Sequence, residues 1–93
     1  MRLMLKFTIP VAKGNRAAAD GSLARAMDTL LEQVKPEAAY FTLQDGERAG
    51  LIIFNETDPA RLTMINEPLF AELEAAIEIC PVLTIDDLRK GLA

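Results

Sequence analysis

Residues 38–55, AAYFTLQDGERAGLIIFN, decide the fold of this chain. Apolar and polar side chains alternate over the first half of the segment, which is the period of a β-strand. Asp45-Gly46 follows, and this dipeptide is typical of a two-residue type I′ turn, in which both central residues need a positive φ. A second apolar run, from about Arg48 to Asn55, completes a predicted β-hairpin. With a two-residue turn, the pairs across the hairpin are Gln44 with Glu47, Thr42 with Ala49, and Tyr40 with Leu51.

One strand and one helix are predicted before the hairpin. Residues 2–9 alternate between a strongly apolar face and a more polar one, as a strand does. Lys13-Gly14-Asn15 is expected to be a loop. A helix follows from about Asn15 or Arg16 to Val34, with a kink or break at Gly21 and a restart capped by Ser22. The buried stripe of this helix is Leu23, Met27, Leu30, Leu31 and Val34.

A second helix, a strand and a short tail helix are predicted after the hairpin. Asp58-Pro59 has the features of a helix start, a capping carboxylate before a proline at the first helical position. Pro68 is expected to kink or split this helix. Residues 77–83 form the fourth predicted strand, and Thr84 begins a capping-box-like start of the tail helix. The apolar stripes are Leu62, Ile65, Leu69, Leu73 and Ala76 on the longer helix, and Ile85, Leu88 and Leu92 on the tail helix.

The order strand, helix, strand, strand, helix, strand predicts a ferredoxin-like βαββαβ plait, an α+β fold with a four-stranded antiparallel sheet. Right-handed crossovers place both helices on one face of that sheet. The other face is left open. It carries Met4, Tyr40, Leu51 and Ile53 and is therefore expected to be covered rather than exposed to water. Two copies that pack these faces together would form a dimeric α+β barrel. The tail helix is expected to dock on the partner or across the sheet end, so deleting residues 85–93 is expected to weaken the dimer.

Composition narrows the class of protein. The 93 residues are predicted to form one domain, 1–93, rather than two, because each half would be too short to bury a core of its own. The net charge of −4 and the pI of about 4.7 argue against nucleic-acid binding, for which basic residues concentrate on one face. No apolar run is long enough to cross a bilayer, and the start of the chain lacks the apolar segment of a signal peptide. The expectation is a cytoplasmic protein without nucleic-acid or membrane partners.

Two residue types limit the chemistry. The chain has no histidine, which excludes Ser-His-Asp triads, Cys-His dyads and histidine-ligated zinc, iron or haem. Its single cysteine, Cys80, cannot form an internal disulfide and is interpreted as a small buried apolar side chain. The acidic pairs Glu56/Asp58 and Asp86/Asp87 occur where helices begin, and we interpret them as caps rather than as metal ligands. Neither a metal nor a cofactor is expected.

The candidates for a ligand site lie on the predicted open face. Lys6 and Glu78 fall on neighbouring strands, either as an acid–base pair or as a structural ion pair inside the barrel. Tyr40 carries a hydroxyl that can donate to a ligand oxygen, or it is an interface aromatic. No catalytic residue is assigned, and Arg48 is interpreted as a surface turn residue. The apolar wall of the site is expected to be Met4, Leu51 and Ile53.

Four segments resemble a known group of proteins: PEAAYF at 36–41, DGER at 45–48, EPLF at 67–70 and PVLTIDDL at 81–88. They are similar to segments of a group of small uncharacterised bacterial proteins in the dimeric α+β barrel superfamily. The resemblance spans nearly the whole chain, and its last two segments are the most specific. It implies a homodimer of ferredoxin-like subunits and no particular activity. The superfamily also holds muconolactone isomerase-like enzymes, cofactor-free and haem-degrading monooxygenases, and stress-response barrels, but a shared fold transfers no function.

These observations favour a homodimeric, or higher homo-oligomeric, α+β barrel that binds a small organic molecule in or near the barrel. Two other functions are compatible with the sequence. One is a cofactor-independent isomerase or monooxygenase, which requires polar groups that converge on a cavity. The other is an assembly module without a ligand, which predicts a filled barrel centre.

Overall fold

A computed structural model describes residues 1–93 and contains one four-stranded antiparallel sheet, with strand order β2-β3-β1-β4. β1 pairs antiparallel with both β3 and β4, which confirms the predicted ferredoxin-like fold. In chain order the elements are β1 (Arg2–Ile9), α1 (Val11–Asp20), α2 (Ser22–Val34), β2 (Ala38–Gln44), β3 (Glu47–Asn55), α3 (Ala60–Leu73), β4 (Ala76–Pro81) and α4 (Ile85–Leu92).

The hairpin of β2 and β3 has the predicted turn and the predicted register. Asp45 and Gly46 have φ values of 52° and 79°, as a type I′ turn requires. All three predicted cross-strand pairs are confirmed, including Tyr40 with Leu51. The turn therefore fixes which side chains of β2 and β3 face the helices and which face the open side of the sheet.

A single layer of apolar side chains joins the sheet to the helices. Leu5 of β1, Ile52 of β3 and Leu73 of α3 are fully buried at its centre. Burying each side chain of this kind contributes about 1.5–3 kcal/mol to the stability of the fold. The core is thus confined to one face of the sheet. Its residues are Leu3, Leu5, Phe7, Ile9, Ala17, Ala26, Leu30, Val34, Ile52, Phe54, Ile65, Leu69, Leu73 and Ala75.

Helix α1 begins at Val11, so the prediction of a loop at Lys13-Gly14-Asn15 is wrong. Gly14 is buried beneath the side chain of Arg48, where an added Cβ would lie 2.6 Å from the Arg48 Nη1 atom. The absence of a side chain therefore lets α1 approach the sheet closely. This packing outweighs the roughly 1 kcal/mol by which glycine disfavours a helix relative to alanine.

The predicted break at Gly21 is present and separates α1 from α2, with a φ of 85° at the glycine. The expected capping of α2 by Ser22 is absent, because Ser22 is itself the first residue of α2. Instead the Ser22 N–H donates to Asp20 Oδ1 at 2.8 Å. These hydrogen bonds to Ser22 lower the pKa of the Asp20 carboxyl below its ordinary value. A charged carboxylate oxygen is a stronger acceptor than a hydroxyl oxygen, which explains why Asp20 rather than Ser22 accepts the hydrogen bond at the start of α2.

Helix α3 starts at Ala60, one residue later than predicted, and it also ends earlier than predicted. The Ala60 N–H donates to Asp58 Oδ1 at 3.0 Å, as expected for a capping carboxylate. The helix continues through Pro68 to Leu73 without being split. It ends at Glu74, which adopts a left-handed conformation with a φ of 53°. Ala76 is therefore not part of the helical stripe. It is exposed and is the first residue of β4, which runs from Ala76 to Pro81 instead of over 77–83.

Helix α4 starts with the predicted capping box. The Asp87 N–H donates to Thr84 Oγ1, and the Thr84 N–H donates to Asp87 Oδ2, each at 3.1 Å. Arg2 Nη1 lies 3.9 Å from Asp87 Oδ2, which places the start of α4 near the start of β1. None of the four helices combines the length and the apolar character that a bilayer span requires.

We expect acid to weaken the start of α3 through Glu56. The pKa of this carboxyl lies below its ordinary value of 4.5, first because Glu56 accepts the Asp58 N–H and then because of its pairing with Arg61. A lowered pKa in the folded state means that the contribution to stability is present above pH 4.5 and is lost as pH falls through the folded value. Thermal unfolding between pH 7 and pH 3 should show the midpoint falling, and Glu56→Gln should flatten that fall.

The control for this prediction is Glu67→Gln, because Glu67 is an exposed residue of α3 outside any ion pair. Its unfolding midpoint should follow that of the parent protein at every pH. An unchanged pH profile in Glu56→Gln would contradict the assignment.

Candidate ligand site on the open sheet face

Four predicted site residues lie in one row across the open face of the sheet. Tyr40 on β2 is the cross-strand partner of Leu51 on β3, which is the partner of Lys6 on β1. Lys6 in turn is the partner of Glu78 on β4. Neighbouring strands are about 4.8 Å apart, so the row from phenol to carboxylate spans about 14 Å. Lys6 and Glu78 therefore share a face, as alternation along their strands predicts.

An apolar row lies directly beside the row that contains Lys6. Ala38 is the partner of Ile53, Ile53 of Met4, and Met4 of Cys80. The predicted wall of Met4, Leu51 and Ile53 thus lies on the same face as the polar groups. Cys80 is exposed within the single chain, contrary to the expectation of a buried cysteine. Its strand is at the edge of the sheet, and alternation turns its thiol away from the helices.

A small depression of about 190 Å³ on this face includes two of the predicted polar groups, and Tyr40 lies outside it. Lys6 and Glu78 contribute to it, and so do Thr8 and Gln44, which the sequence analysis did not select. The alternation that places Lys6 on the open face also places Thr8 there, two residues along β1. Because small-molecule pockets usually have ~300–1,000 Å³, this depression is too small to be a complete pocket within the single chain.

Lys6 and Glu78 do not form the buried pair that was one expectation. The ion pairs of the chain join other residues, and Glu78 is exposed. The Tyr40 side chain is 65% exposed. These groups are consequently available to something outside the chain: a phenol that donates, an ammonium that donates and attracts anions, and a carboxylate that accepts.

Arg48 does not have the surface position that was predicted for it. It pairs with Ile9 across β1 and β3 and therefore faces the helices. Its Nη1–H donates to Asn15 Oδ1 of α1 at 3.1 Å. The register of the hairpin contained this information, because Arg48 lies on the same face as Gly50 and Ile52. Arg48 is a structural link between sheet and helix and not a surface turn residue.

A larger depression of about 510 Å³ lies on the opposite side of the molecule, between α2 and α3. Its charged residues are of both signs and are spread along its rim: Lys13, Asp20, Arg25 and Glu72. None of them forms an ion pair with another. The depression follows the groove between two packed helices and gathers no set of groups around one point, so the open face is the better candidate.

The order of elements and the strand order define this molecule as a ferredoxin-like α+β protein. A de novo designed protein, Ferredog-Diesel, has the same fold, with a TM-score of 0.51 over 87% of this chain and 85% of its own, at 8% sequence identity. The chain belongs to a family described as a domain of unknown function (DUF3303), whose profile matches residues 1–93. No curated protein matches the sequence.

Proposed function

We propose that this protein is a homodimeric α+β barrel that binds a small organic acid between its two open sheet faces. The proposed unit is one domain, 1–93, supported by a single continuous core. The superfamily resemblance in the sequence supports the face-to-face dimer and a bacterial origin. A cytoplasmic location is supported by the free thiol of Cys80, because unpaired thiols persist in reducing compartments.

The observation that carries the ligand proposal is the row of Tyr40, Leu51, Lys6 and Glu78. A ligand site is mostly apolar with a few convergent polar groups. This row combines one hydroxyl, one cation and one anion around an apolar centre. Lys6 would attract a carboxylate of the ligand, Tyr40 would donate to one of its oxygens, and Glu78 would hold the Lys6 ammonium in place or accept a proton from the ligand.

Dimerisation would complete the site. A second open face, laid over the first, would supply the wall that the depression of about 190 Å³ lacks. Burial would also strengthen the attraction between Lys6 and an anion, because Coulomb energies grow as the local dielectric constant falls. The apolar wall of Met4, Leu51 and Ile53 would then surround the hydrocarbon part of the ligand.

The ligand proposal is tested by titrating the dimer with small monocarboxylic acids and with their uncharged amides, followed by calorimetry. We expect at least one acid to bind and its amide to bind about tenfold or more weakly, since a hydrogen bond to a charged group is worth about 1.5–3 kcal/mol. Lys6→Met should abolish the preference for the acid. Glu78→Gln should lose binding while the unfolding midpoint is retained.

Lys13→Met and Glu72→Gln are the matched controls, because both residues lie on helices that cover the other face of the sheet. They should bind the acid as the parent does. Loss of stability in Glu78→Gln, with no acid bound by the parent, would instead assign Lys6 and Glu78 a structural role. That result would favour the assembly module over the ligand-binding barrel.

A further inference from the structure

The apolar side of α4 has no partner within its own chain. We define the tail stripe as Ile85, Leu88 and Leu92, which are 68%, 50% and 78% exposed. The helix is nevertheless well formed, because the Thr84–Asp87 capping box fixes its first turn. Three large side chains on one side of a capped helix indicate a helix that is built to dock.

A second uncovered apolar region lies at the β2 edge, on the helix side of the sheet. We define the edge groove as the depression of about 210 Å³ lined on the helix side by Leu23 and Met27 of α2, Phe41 of β2 and Arg48 of β3. Phe41 and Leu43 face the same side and remain 55% and 71% exposed, since α2 does not extend over β2. The groove is open along its length and its lining is mostly apolar.

The tail stripe cannot reach the edge groove of its own chain. Val82 and Asp87 contact Arg2 at the start of β1, whereas the groove includes Ile9 at the end of β1. An eight-residue strand is about 26 Å long, while α4 spans only about 12 Å. Any occupant of the groove that has the chemistry of α4 must therefore come from a second copy.

We propose that α4 of each copy docks its tail stripe into the edge groove of the other copy, as a reciprocal exchange of tails in the dimer. This inference rests on the proposed dimer and specifies what the dimer needs beyond its sheet faces. A two-fold axis that lies between the two open faces and runs diagonally to the strands brings the corner of one sheet where β4 ends beside Arg2 over the corner of the other sheet where β2 lies beside Ile9, and it makes both contacts identical.

The dimensions of the two surfaces agree. The tail stripe extends over seven residues of helix, or about 10.5 Å. On α2 the groove is lined by Leu23 and Met27, and Leu31 follows one turn later on the same side of the helix, so this apolar strip extends over about 12 Å. Two antiparallel or crossed helices of these lengths can interdigitate their side chains over two turns.

The charges beside the two surfaces are also complementary. Arg89 follows Ile85 by one turn and borders the tail stripe. Asp28 borders the apolar side of α2 next to Met27 and Leu31. Neither residue has an ion-pair partner within the chain. A docked α4 would bring one cation beside one anion in each of the two contacts.

The area of the sheet face gives an independent reason for the exchange. Four strands about 4.8 Å apart and six residues long have a flat footprint of roughly 400 Å². A stable interface buries about 800 Å² on each partner. The tails would supply much of the remaining area, and they would do so by covering side chains that are otherwise left in water.

Disulfide trapping between two variants tests this inference directly. In a Cys80→Ser background, chains with Leu88→Cys are mixed with chains with Met27→Cys, refolded together and mildly oxidised. We expect covalent heterodimers to form about tenfold or more faster than with Met64→Cys, because docking raises the effective concentration of the two thiols. Met64 is the matched control, as it is an exposed methionine on α3.

The alternative position for α4 is the end of the barrel, which Ala38→Cys on the open face reports. Trapping of Leu88→Cys with Ala38→Cys but not with Met27→Cys would overturn the inference. Sedimentation of the untreated mixture separates this failure from failure of the dimer itself. If the mixture sediments as a dimer but Leu88→Cys forms no disulfide with Met27→Cys, the exchange of tails alone is overturned. If the mixture sediments as a monomer, both the exchange of tails and the proposed dimer are overturned.

A charge swap provides a second measurement that keeps the core side chains intact. Arg89→Asp and Asp28→Arg should each raise the dissociation constant of the dimer about threefold or more, as exposed pairs are worth up to about 1 kcal/mol. The double variant should restore the parent value. Additive losses in the double variant would contradict contact between the two residues.

Discussion

Replacing Ile53 by aspartate is expected to leave a folded monomer at concentrations where the parent protein forms the proposed dimer. Ile53 lies in the apolar row between Ala38 and Met4 on the open face. In a face-to-face dimer, each subunit would place an unpaired carboxylate in an apolar interface. The dissociation constant should rise at least about 100-fold, or about 2.8 kcal/mol, because charges without partners are costly to bury.

Analytical ultracentrifugation at micromolar concentration measures this change, and circular dichroism checks that the monomer keeps its sheet and helices. Met64→Asp is the control, since Met64 is 61% exposed on α3 and lies away from the open face. It should sediment as the parent does. A dimer of undiminished affinity in Ile53→Asp, or a parent protein that is itself monomeric, would refute the face-to-face arrangement.

Gly50→Val is expected to destabilise the sheet strongly. A Cβ at this position would lie 2.5 Å from Phe7 Cζ and 3.2 Å from Phe41 Cδ1. Phe7 is only 3% exposed and belongs to the core, so displacing its ring would disrupt the packing around it. Overpacking of this kind costs about 3 kcal/mol at the upper end of its usual range. For a chain of this length the unfolding midpoint should fall by roughly 15 °C.

Two further variants isolate the cause of this loss. Gly91→Ala is the control, because no atom lies within 4 Å of a Cβ at Gly91, and it should be neutral or stabilise α4 slightly. Combining Gly50→Ala with Phe7→Leu should cost less than the sum of the two single changes, since the smaller side chain leaves room for the added methyl group. A Gly50→Val protein as stable as the parent would show that the ring of Phe7 can move.

The parts of the fold that could be predicted from the sequence are those set by local rules. Alternation in residues 2–9 and the Asp45-Gly46 turn act over a few residues, and together they place Lys6, Tyr40 and Leu51 on one face. Both features are present in the structure. The backbone hydrogen bonds that the Asp58 and Asp87 carboxylates accept near the starts of α3 and α4 are equally local and were equally predictable.

The parts that could not be predicted depend on distant contacts. In the sequence Gly14 resembles a loop residue, because its contact with Arg48 of β3 is not visible there. Arg48 resembles a turn residue until its guanidinium is seen to reach Asn15. The exposure of Cys80 depends on its position in an edge strand, which local sequence does not encode. Whether Lys6 and Glu78 serve a ligand depends on the second subunit and stays a prediction.

The sheet also has a consequence for synthesis of the chain, because its first strand pairs with its last. Leu5 on β1 is the partner of both Ile52 and Ile79. On the ribosome, β1 therefore has a neighbour on one side only until the segment from 56 to 81 has been made, which takes roughly one to five seconds at ~5–20 residues per second. During that interval β1 is an unprotected edge strand, the kind of element that pairs with other nascent chains. The yield of this protein should thus depend on translation speed and chaperone supply more than on the stability of the finished fold.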